Sequence, residues 1–209
     1  MYFGLMRRAF YPNALPRSTP NSLRIKWAVM NERSDYPSVK VFFAMWPGTA
    51  ERGELKNWQN RLHRLCGGRV MRFESLHATL VFIGQIGTSR LEALQLAAQE
   101  VDGTGFDLCL DSARYWGHNH IAYAVPAEVP EQLAQLVAAL EQSLQRHRFK
   151  FDRRAYKPHV TLLRNARWTD APLPVMPPVN WRVEDFALVQ STPQEYRVLA
   201  RFPLRASGG

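Results

Sequence analysis

Two short segments of the sequence, His77–Leu80 and His159–Leu162, both read His-x-Thr-Leu. Side chains of a β-strand alternate between its two faces, so each segment would present an imidazole and a hydroxyl on one face and two apolar side chains on the other. If the two strands lie side by side, two imidazoles and two hydroxyls meet at one point. The repeat therefore predicts a site for acid–base chemistry.

A pair of imidazoles suits the hydrolysis of a phosphodiester without a metal ion. One imidazole takes a proton from the attacking water and the other gives a proton to the leaving oxygen. Free imidazole has a pKa of about 6.5, so both forms exist near neutral pH, and each proton transfer contributes about 10²–10⁴-fold. The hydroxyls of Thr79 and Thr161 can donate to the other phosphate oxygens. A single such segment would be weak evidence, but two occur among only six histidines.

Other constellations give weaker signals. His118 and His120 would share a strand face, but no third metal ligand follows at a useful spacing, which favours a surface or structural role. Aromatic side chains can stack on a nucleobase, and we expect one of four candidates to do so while the others pack: Trp46, Trp116, Tyr156 and Trp168. No Walker A loop and no Lys-x-Asp-Gly motif occurs, which argues against a ligase that uses ATP.

Hydrophobic periodicity predicts the elements that would position the motifs. The expected strands span 39–45, 77–84, 105–115, 119–125, 159–163, 181–190 and 195–203. The first helix, 50–65, carries Leu55, Trp58, Leu62 and Leu65 on one face and ends at the Gly67-Gly68 pair. A capping box of Ser89 and Glu92 begins a second helix that reaches about Val101. The third helix spans 129–147, with Val129 on its apolar stripe. Mixed helices and hairpin-like strands predict an α+β fold with antiparallel sheets.

Charge and cysteine content limit the partners and the compartment. The formal net charge of the 209 residues is +9, which favours a polyanion such as RNA. No apolar run is long enough to span a membrane. Cys66 and Cys109 stand far apart, so we expect free, buried thiols in a reducing compartment and a cytoplasmic protein. We also expect a monomer.

The first 38 residues are unlike the rest, with scattered prolines and no periodicity. We predict a poorly ordered N-terminal arm over 1–38, a single domain of two lobes over 39–205 and a short tail over 206–209. Met6–Phe10 is faintly similar to a twin-arginine export signal, but Tyr11–Pro16 cannot form the apolar segment that such a signal needs. A true start at Met30 is an alternative.

With the two motifs in their context, the sequence resembles the 2H phosphoesterase superfamily. Within it, the chain is most similar to the RNA 2′,3′-cyclic phosphodiesterase family, also called 2′-5′ RNA ligase. The resemblance runs from about Val39 to Leu204 and rests on Leu76–Gly84, Pro158–Arg164 and the terminal strand Phe186–Ser191. It implies a bilobal fold with two antiparallel sheets that face a central cleft, helices outside, a pseudo-two-fold axis, and no metal or other cofactor.

The resemblance also implies a reaction, in which a 2′,3′-cyclic phosphate at an RNA end or on a small nucleotide opens to a 2′-phosphate, with 2′-5′ joining as a possible reverse. His77 would be the acid on the departing 3′ oxygen and His159 the base, although the symmetric sequence equally allows the opposite. Thr79 and Thr161 would hold phosphate oxygens, and Arg164 would add a positive charge. Strict alternation points Arg164 away from the site unless the strand ends or bulges there.

Three alternatives remain open at this point. The substrate could be another 2′-5′ or cyclic nucleotide handled by the same superfamily. The protein could be a non-catalytic module that binds RNA or nucleotides, although pure binding needs no paired imidazoles. The motifs could also be accidental in a structural protein.

Overall fold

The computed structural model describes residues 37–168 and 172–206. The folded unit begins at Ser38. The predicted arm, the segment similar to an export signal and the alternative start at Met30 lie outside the described residues, apart from the last two positions of the arm. Most of the predicted tail lies outside them as well.

The described residues form ten strands, three α-helices and two single-turn 3₁₀ helices. The strands are β1 (Ser38–Met45), β2 (Arg69–Val70), β3 (Ala78–Gly87), β4 (Phe106–Leu110), β5 (Ser112–Trp116), β6 (Ile121–Val125), β7 (Val160–Arg164), β8 (Val179–Val183), β9 (Asp185–Ser191) and β10 (Tyr196–Pro203). The helices are α1 (Thr49–Cys66), α2 (Leu91–Gln99) and α3 (Glu131–Arg146), and the 3₁₀ helices are Phe73–Ser75 and Thr88–Arg90.

One large sheet carries both motifs. Its order is β10-β9-β1-β3-β7-β6-β5, with β2 added beside β7, and β4 and β8 form a separate pair. All of these strand pairs are antiparallel, which confirms the α+β class. The large sheet consists of two halves, because β3 and β7 are joined by a single residue pair, Ala78 and Val160. The halves therefore meet at the middle of the two motifs.

Helix α1 packs against β7 and β8 through Leu55, Trp58 and Leu62, as expected. The prediction for Leu65 is wrong, because 48% of its surface is exposed. The buried face continues from Leu62 to Cys66 instead, a step of four residues that leaves Leu65 beyond its edge. The helix ends at the glycine pair, as predicted, with Gly67 at φ 57°.

Helices α2 and α3 pack on each other, and their starts differ from the sequence analysis. The capping box at Ser89 is wrong, because Thr88–Arg90 form a 3₁₀ turn that leads directly into α2, and no side chain caps that helix. The expected position of Val129 in α3 is also wrong, because the helix begins after Pro130 and Val129 is 46% exposed.

Three strand boundaries differ from those predicted. β3 does not end at Gly84, because this glycine takes a positive φ of 86° within an irregular stretch and the strand continues to Gly87. The predicted strands 105–115 and 181–190 each divide in two. In both, one residue, Asp111 or Glu184, carries the chain from the small sheet to the large one.

Two further properties concern exposure and length. Both cysteines are free, as expected, but Cys109 is exposed because it lies on the outward face of β4. None of the helices in the described part of the chain has the length and apolar character needed to cross a bilayer.

Candidate active site

Each motif histidine immediately precedes its strand rather than beginning it. His77 comes before β3 and His159 comes before β7. The residues that follow them, Ala78 and Val160, pair with each other in antiparallel register. Extended by one position, that register sets His77 opposite Thr161 and Thr79 opposite His159. Each imidazole thus lies beside the hydroxyl that the other half provides.

A cavity of about 220 Å³ opens at this junction. All five residues predicted from the sequence line its wall, namely His77, Thr79, His159, Thr161 and Arg164. The structure therefore brings together side chains that are up to 87 positions apart in the sequence, the separation between His77 and Arg164. The volume suits a group such as a phosphate with part of a nucleoside.

Both imidazoles are held by the backbone in the same way. Nδ1–H of His77 donates to the carbonyl oxygen of Ser75 at 2.7 Å, and Nδ1–H of His159 donates to that of Lys157 at 2.8 Å. A carbonyl oxygen can only accept, so Nδ1 must carry the proton. Nε2 is left as the nitrogen that gains or loses a proton. The turn-like residues before each motif thus fix the orientation of each imidazole ring.

The ring of His77 lies among three aromatic side chains. Trp46 stacks on it with centroids 4.8 Å apart, while Phe42 and Tyr196 approach at 5.2 Å and 5.0 Å. Trp46 is itself fixed by an Nε1–H bond of 3.0 Å to the carbonyl of Glu74. Burial is the main cause that lowers the pKa of His77 to about 4, and the charges of His159 and Arg164 lower it further.

The ring of His159 meets aromatic edges instead. Trp116 and Tyr123 approach it at 4.7 Å and 5.7 Å, each nearly perpendicular to the imidazole. Burial lowers the pKa of His159 as well, and the charge of Arg164 acts in the same direction. The two imidazoles are therefore held by the same kind of backbone hydrogen bond but differ in how aromatic side chains pack around them.

A bulge follows each motif at the leucine. Leu80 has no partner between the pairs Phe43–Val81 and Ala44–Thr79. Leu162 likewise has no partner where β7 pairs with β6. In a regular strand, Thr161 and Arg164 would point to opposite faces because their spacing of three is odd. The extra residue changes that alternation, which is the condition that the sequence set for Arg164 to reach the site.

Buried contacts from α1 and from Met71, the residue after β2, hold the second bulge. The carbonyl oxygen of Leu162 accepts bonds of 3.0 Å from both the amide N–H of Met71 and Nε2 of Gln59. Gln59 is fully buried and also donates to the carbonyl of Met71 at 2.9 Å. Gly68 also packs against the backbone of β7. A Cβ at this position would lie 2.7 Å from the carbonyl oxygen of Arg164, so only glycine fits there. Sequence reasoning missed Gln59, whose only signal is a polar residue on an apolar helix face.

The four aromatic candidates have different positions. Trp46 and Trp116 contact the two histidines, whereas Trp168 packs on Tyr115 at 6.1 Å. Tyr156 lines a neighbouring cavity. The cavity wall also contains Phe42, Phe82 and Tyr196, which the analysis of single motifs did not select. Phe82 stands five residues after His77, just as Arg164 stands five after His159.

The alternative metal pair is not arranged as a site. His118 and His120 lie in the turn between β5 and β6 rather than on a strand, and His120 has a positive φ of 56°. Its Nδ1 is hydrogen-bonded to the hydroxyl of Tyr115 at 2.9 Å. Throughout residues 37–168 and 172–206, no three His, Cys, Asp or Glu side chains are grouped in a way that could hold a metal ion.

Comparison with known proteins gives one family and close agreement in fold. The sequence model of the 2′-5′ RNA ligase superfamily matches residues 48–195. A protein of Escherichia coli (strain K12) named RNA 2′,3′-cyclic phosphodiesterase is 30% identical over 155 residues, which cover 73% of this chain and 87% of that protein. A Thermus thermophilus protein of the same name is 29% identical over 199 residues, which cover 82% of this chain and 93% of that protein.

Solved structures agree with these relatives. The crystal structure of E. coli LigT complexed with 3′-AMP superposes with a TM-score of 0.74 at 27% identity, over 80% of this chain and 99% of that one. The crystal structure of TT0787 of Thermus thermophilus gives a TM-score of 0.65 at 26% identity, over 81% of this chain and all of that one.

Proposed function

The chain belongs to the 2′-5′ RNA ligase superfamily, and we propose that it opens the 2′,3′-cyclic phosphate at RNA ends to a 2′-phosphate without a metal ion. The observation that carries the proposal is that both motif histidines, both motif threonines and Arg164 line one cavity. The two curated relatives are named for this reaction, and E. coli LigT, which has a similar structure, was solved with the nucleotide 3′-AMP.

The two imidazoles divide one reaction between them. Nε2 of one accepts a proton from the water that attacks phosphorus, and Nε2 of the other donates a proton to the 3′ oxygen as its bond to phosphorus breaks. The base must be neutral and the acid protonated at the moment of reaction. The carbonyls of Ser75 and Lys157 hold both rings so that Nε2 is the reacting atom in each.

The substrate itself helps to protonate the pair. In the protein without substrate, burial holds the pKa of His77 at about 4. One negative charge about 4 Å away, at an effective dielectric constant of about 20, stabilises an imidazolium by about 4 kcal/mol. That is enough to raise a pKa of about 4 to about 7. A bound phosphodiester anion therefore brings the pair into the range where one imidazole can be charged.

Two arguments disagree about which histidine is the acid and which is the base. The family resemblance assigns the acid to His77 and the base to His159. The particularly low pKa of His77 in the free protein favours the neutral form there and hence the opposite assignment. A leaving group that needs no proton distinguishes them, because only the variant that lacks the acid regains activity with such a substrate.

The remaining predicted residues bind the phosphate. We propose that the hydroxyls of Thr79 and Thr161 donate to its two non-bridging oxygens, one from each half of the cavity. Arg164 supplies a fixed positive charge beside them, which stabilises the additional negative charge of the transition state. If a 5′ hydroxyl takes the place of water, the same arrangement joins two RNA ends by a 2′-5′ bond.

An assay with product identification tests this function. The protein is incubated with an RNA oligonucleotide that ends in a 2′,3′-cyclic phosphate, in the presence of EDTA, and the products are separated by chromatography. We expect complete conversion to the 2′-phosphate at a rate that EDTA does not change. Binding without turnover would overturn the enzymatic function, a 3′-phosphate product would overturn the direction of ring opening, and loss of turnover in EDTA would overturn metal independence.

The cytoplasmic location and the monomeric state are proposals too. The free thiol of Cys109 is exposed, which agrees with a reducing compartment. Cell fractionation tests the location, and light scattering of the purified protein tests the monomer.

A further inference from the structure

A second concave surface continues from the wall of the catalytic cavity. This arginine groove, defined by Arg69, Arg72, Arg164 and the loop Thr192–Glu195, encloses about 330 Å³. It shares Arg164 and part of its wall with the catalytic cavity. Whatever occupies the cavity can therefore extend into the groove.

Two arginines of the groove face each other without a counter-ion. Arg69 of β2 and Arg164 of β7 are direct cross-strand partners. Like charges in that position destabilise a strand pair. Among the described residues, no carboxylate lies within ion-pair distance of either guanidinium. A bound anion would remove this repulsion.

The rest of the groove adds positive charge in a fixed position. Arg72 donates to the carbonyl oxygen of Gln194, which holds its guanidinium against the loop. Glu195 is the one acidic side chain in the described wall, and its carboxylate already pairs with Arg197 at 3.4 Å. The groove as a whole is therefore cationic.

The cavity on the other side of the catalytic site has a different charge pattern. It encloses about 490 Å³ and is reached past His159. Its charged residues include Asp152, which pairs with Arg154, and Glu141. Because the basic Arg154 and Lys157 balance the acidic Asp152 and Glu141, that side offers a polyanion no net attraction. The arginine groove is the side on which a nucleic acid backbone is favoured.

We propose that the arginine groove binds the phosphate that links the terminal nucleotide of the RNA to its 5′ neighbour. The inference rests on the proposed function, since the cyclic phosphate occupies the catalytic cavity. Arg69 and Arg72 contact this preceding phosphate while Arg164 lies between the two phosphates. The enzyme thus acts on the ends of RNA chains in preference to 2′,3′-cyclic mononucleotides, which have no such phosphate.

Kinetics with three substrates tests the groove. The substrates are an adenosine 2′,3′-cyclic mononucleotide, an ApA dinucleotide with the same cyclic end, and that dinucleotide with a neutral methylphosphonate linkage. One charge-assisted contact is worth about tenfold. We expect kcat/KM to be at least about tenfold higher for the charged dinucleotide than for the other two. A higher value that the methylphosphonate retains would assign the gain to the second base and overturn the proposal.

A matched pair of variants locates the effect. Arg69 lines the groove but not the catalytic cavity. Arg69→Gln should lower kcat/KM for the charged dinucleotide by about tenfold, with Arg72 still in contact with the phosphate, and leave the mononucleotide unchanged. Arg61→Gln, an exposed arginine of α1 that lines neither surface, should change nothing. Equal losses on both substrates in Arg69→Gln would contradict the groove, whereas absence of turnover on every substrate would contradict the proposed function itself.

Discussion

The two halves of the cavity are built alike around the backbone of each histidine and differently around its ring. In both, a carbonyl two residues earlier holds Nδ1, the strand begins at the next residue, and a bulge occurs at the leucine. His77 is stacked by Trp46, whereas His159 meets only aromatic edges. Repeated backbone geometry thus places two equivalent groups, and unequal packing gives them unequal proton affinities.

The halves also differ five residues beyond each histidine. Both bulges turn this position towards the cavity, but it is Phe82 in the first half and Arg164 in the second. At this position only the second half has a positive charge, while the first half adds a cation from another strand, Lys40 of β1. In the proposed reaction, the symmetric positions supply proton transfer and hydroxyls, and the asymmetric ones supply charge and an apolar surface.

Acid stability should separate the two histidines most clearly. The pKa of His77 is lowered from 6.5 to about 4 in the folded protein, so folded His77 binds fewer protons than unfolded His77 between these values. Its contribution to stability is present above pH 6.5 and is lost as the pH falls towards 4, to the extent of about 3 kcal/mol. Urea unfolding at several pH values should show this loss in the wild type and a much smaller loss in His77→Gln. His159→Gln should still lose most of the stability that the wild type loses at low pH. Equal losses of stability in the two variants would contradict the difference between the two histidines.

Arg164→Gln tests the charge that the second half has five residues beyond its histidine. We expect kcat/KM to fall by up to about a hundredfold, because a charged hydrogen-bond donor to phosphate is lost. The charge of Arg164 lowers the pKa of both histidines, so both should rise in the variant, and the limb of the pH–rate profile on which the base loses its proton should move to higher pH. Phe82→Leu, at the matching position, should leave both pKa values in place. A profile that does not move in Arg164→Gln would place the guanidinium away from the imidazoles.

The threonines test the symmetric part of the comparison. Thr79→Val and Thr161→Val keep the shape of the side chain and remove one hydroxyl donor each. We expect each to lower kcat/KM by about tenfold, measured at saturating and limiting substrate. A large loss in one variant and none in the other would mean that the phosphate is bound from one half only.

Aromatic packing should control each histidine separately. Trp46→Leu exposes the face of His77 and should raise its pKa, because burial is the largest cause that lowers it. Trp116→Leu should do the same for His159 alone. Titration of the imidazole protons by NMR gives both values in one experiment. If Trp46→Leu raised the pKa of His159 as much as that of His77, the two ring environments would not be independent.

The sequence was sufficient for the motif residues and for the fold class, because strand periodicity and the repeated His-x-Thr-Leu pattern are local signals. Strand alternation also indicated that Arg164 could reach the site only if the strand ended or bulged before it. It could not predict the bulge itself, because Gln59 holds the carbonyl of Leu162 from 103 positions away. The stacking of Trp46 on His77 and the change of sheet at Asp111 depend in the same way on distant partners. The roles of His77, Thr79, His159, Thr161 and Arg164 stay predictions.

The division of labour between the two histidines is tested most directly by one kinetic comparison. It uses RNA that ends in a 2′,3′-cyclic phosphate and its counterpart with sulfur at the 3′ position, whose thiol ionises far more readily than a hydroxyl and needs no acid. On the oxygen substrate, His77→Ala and His159→Ala should each lose about 10²–10⁴-fold in kcat/KM, while His63→Ala on the exposed side of α1 should lose nothing. On the sulfur substrate, one of the two catalytic variants should recover and the other should not. Recovery of both, recovery of neither, or wild-type activity of either variant on the oxygen substrate would contradict the account.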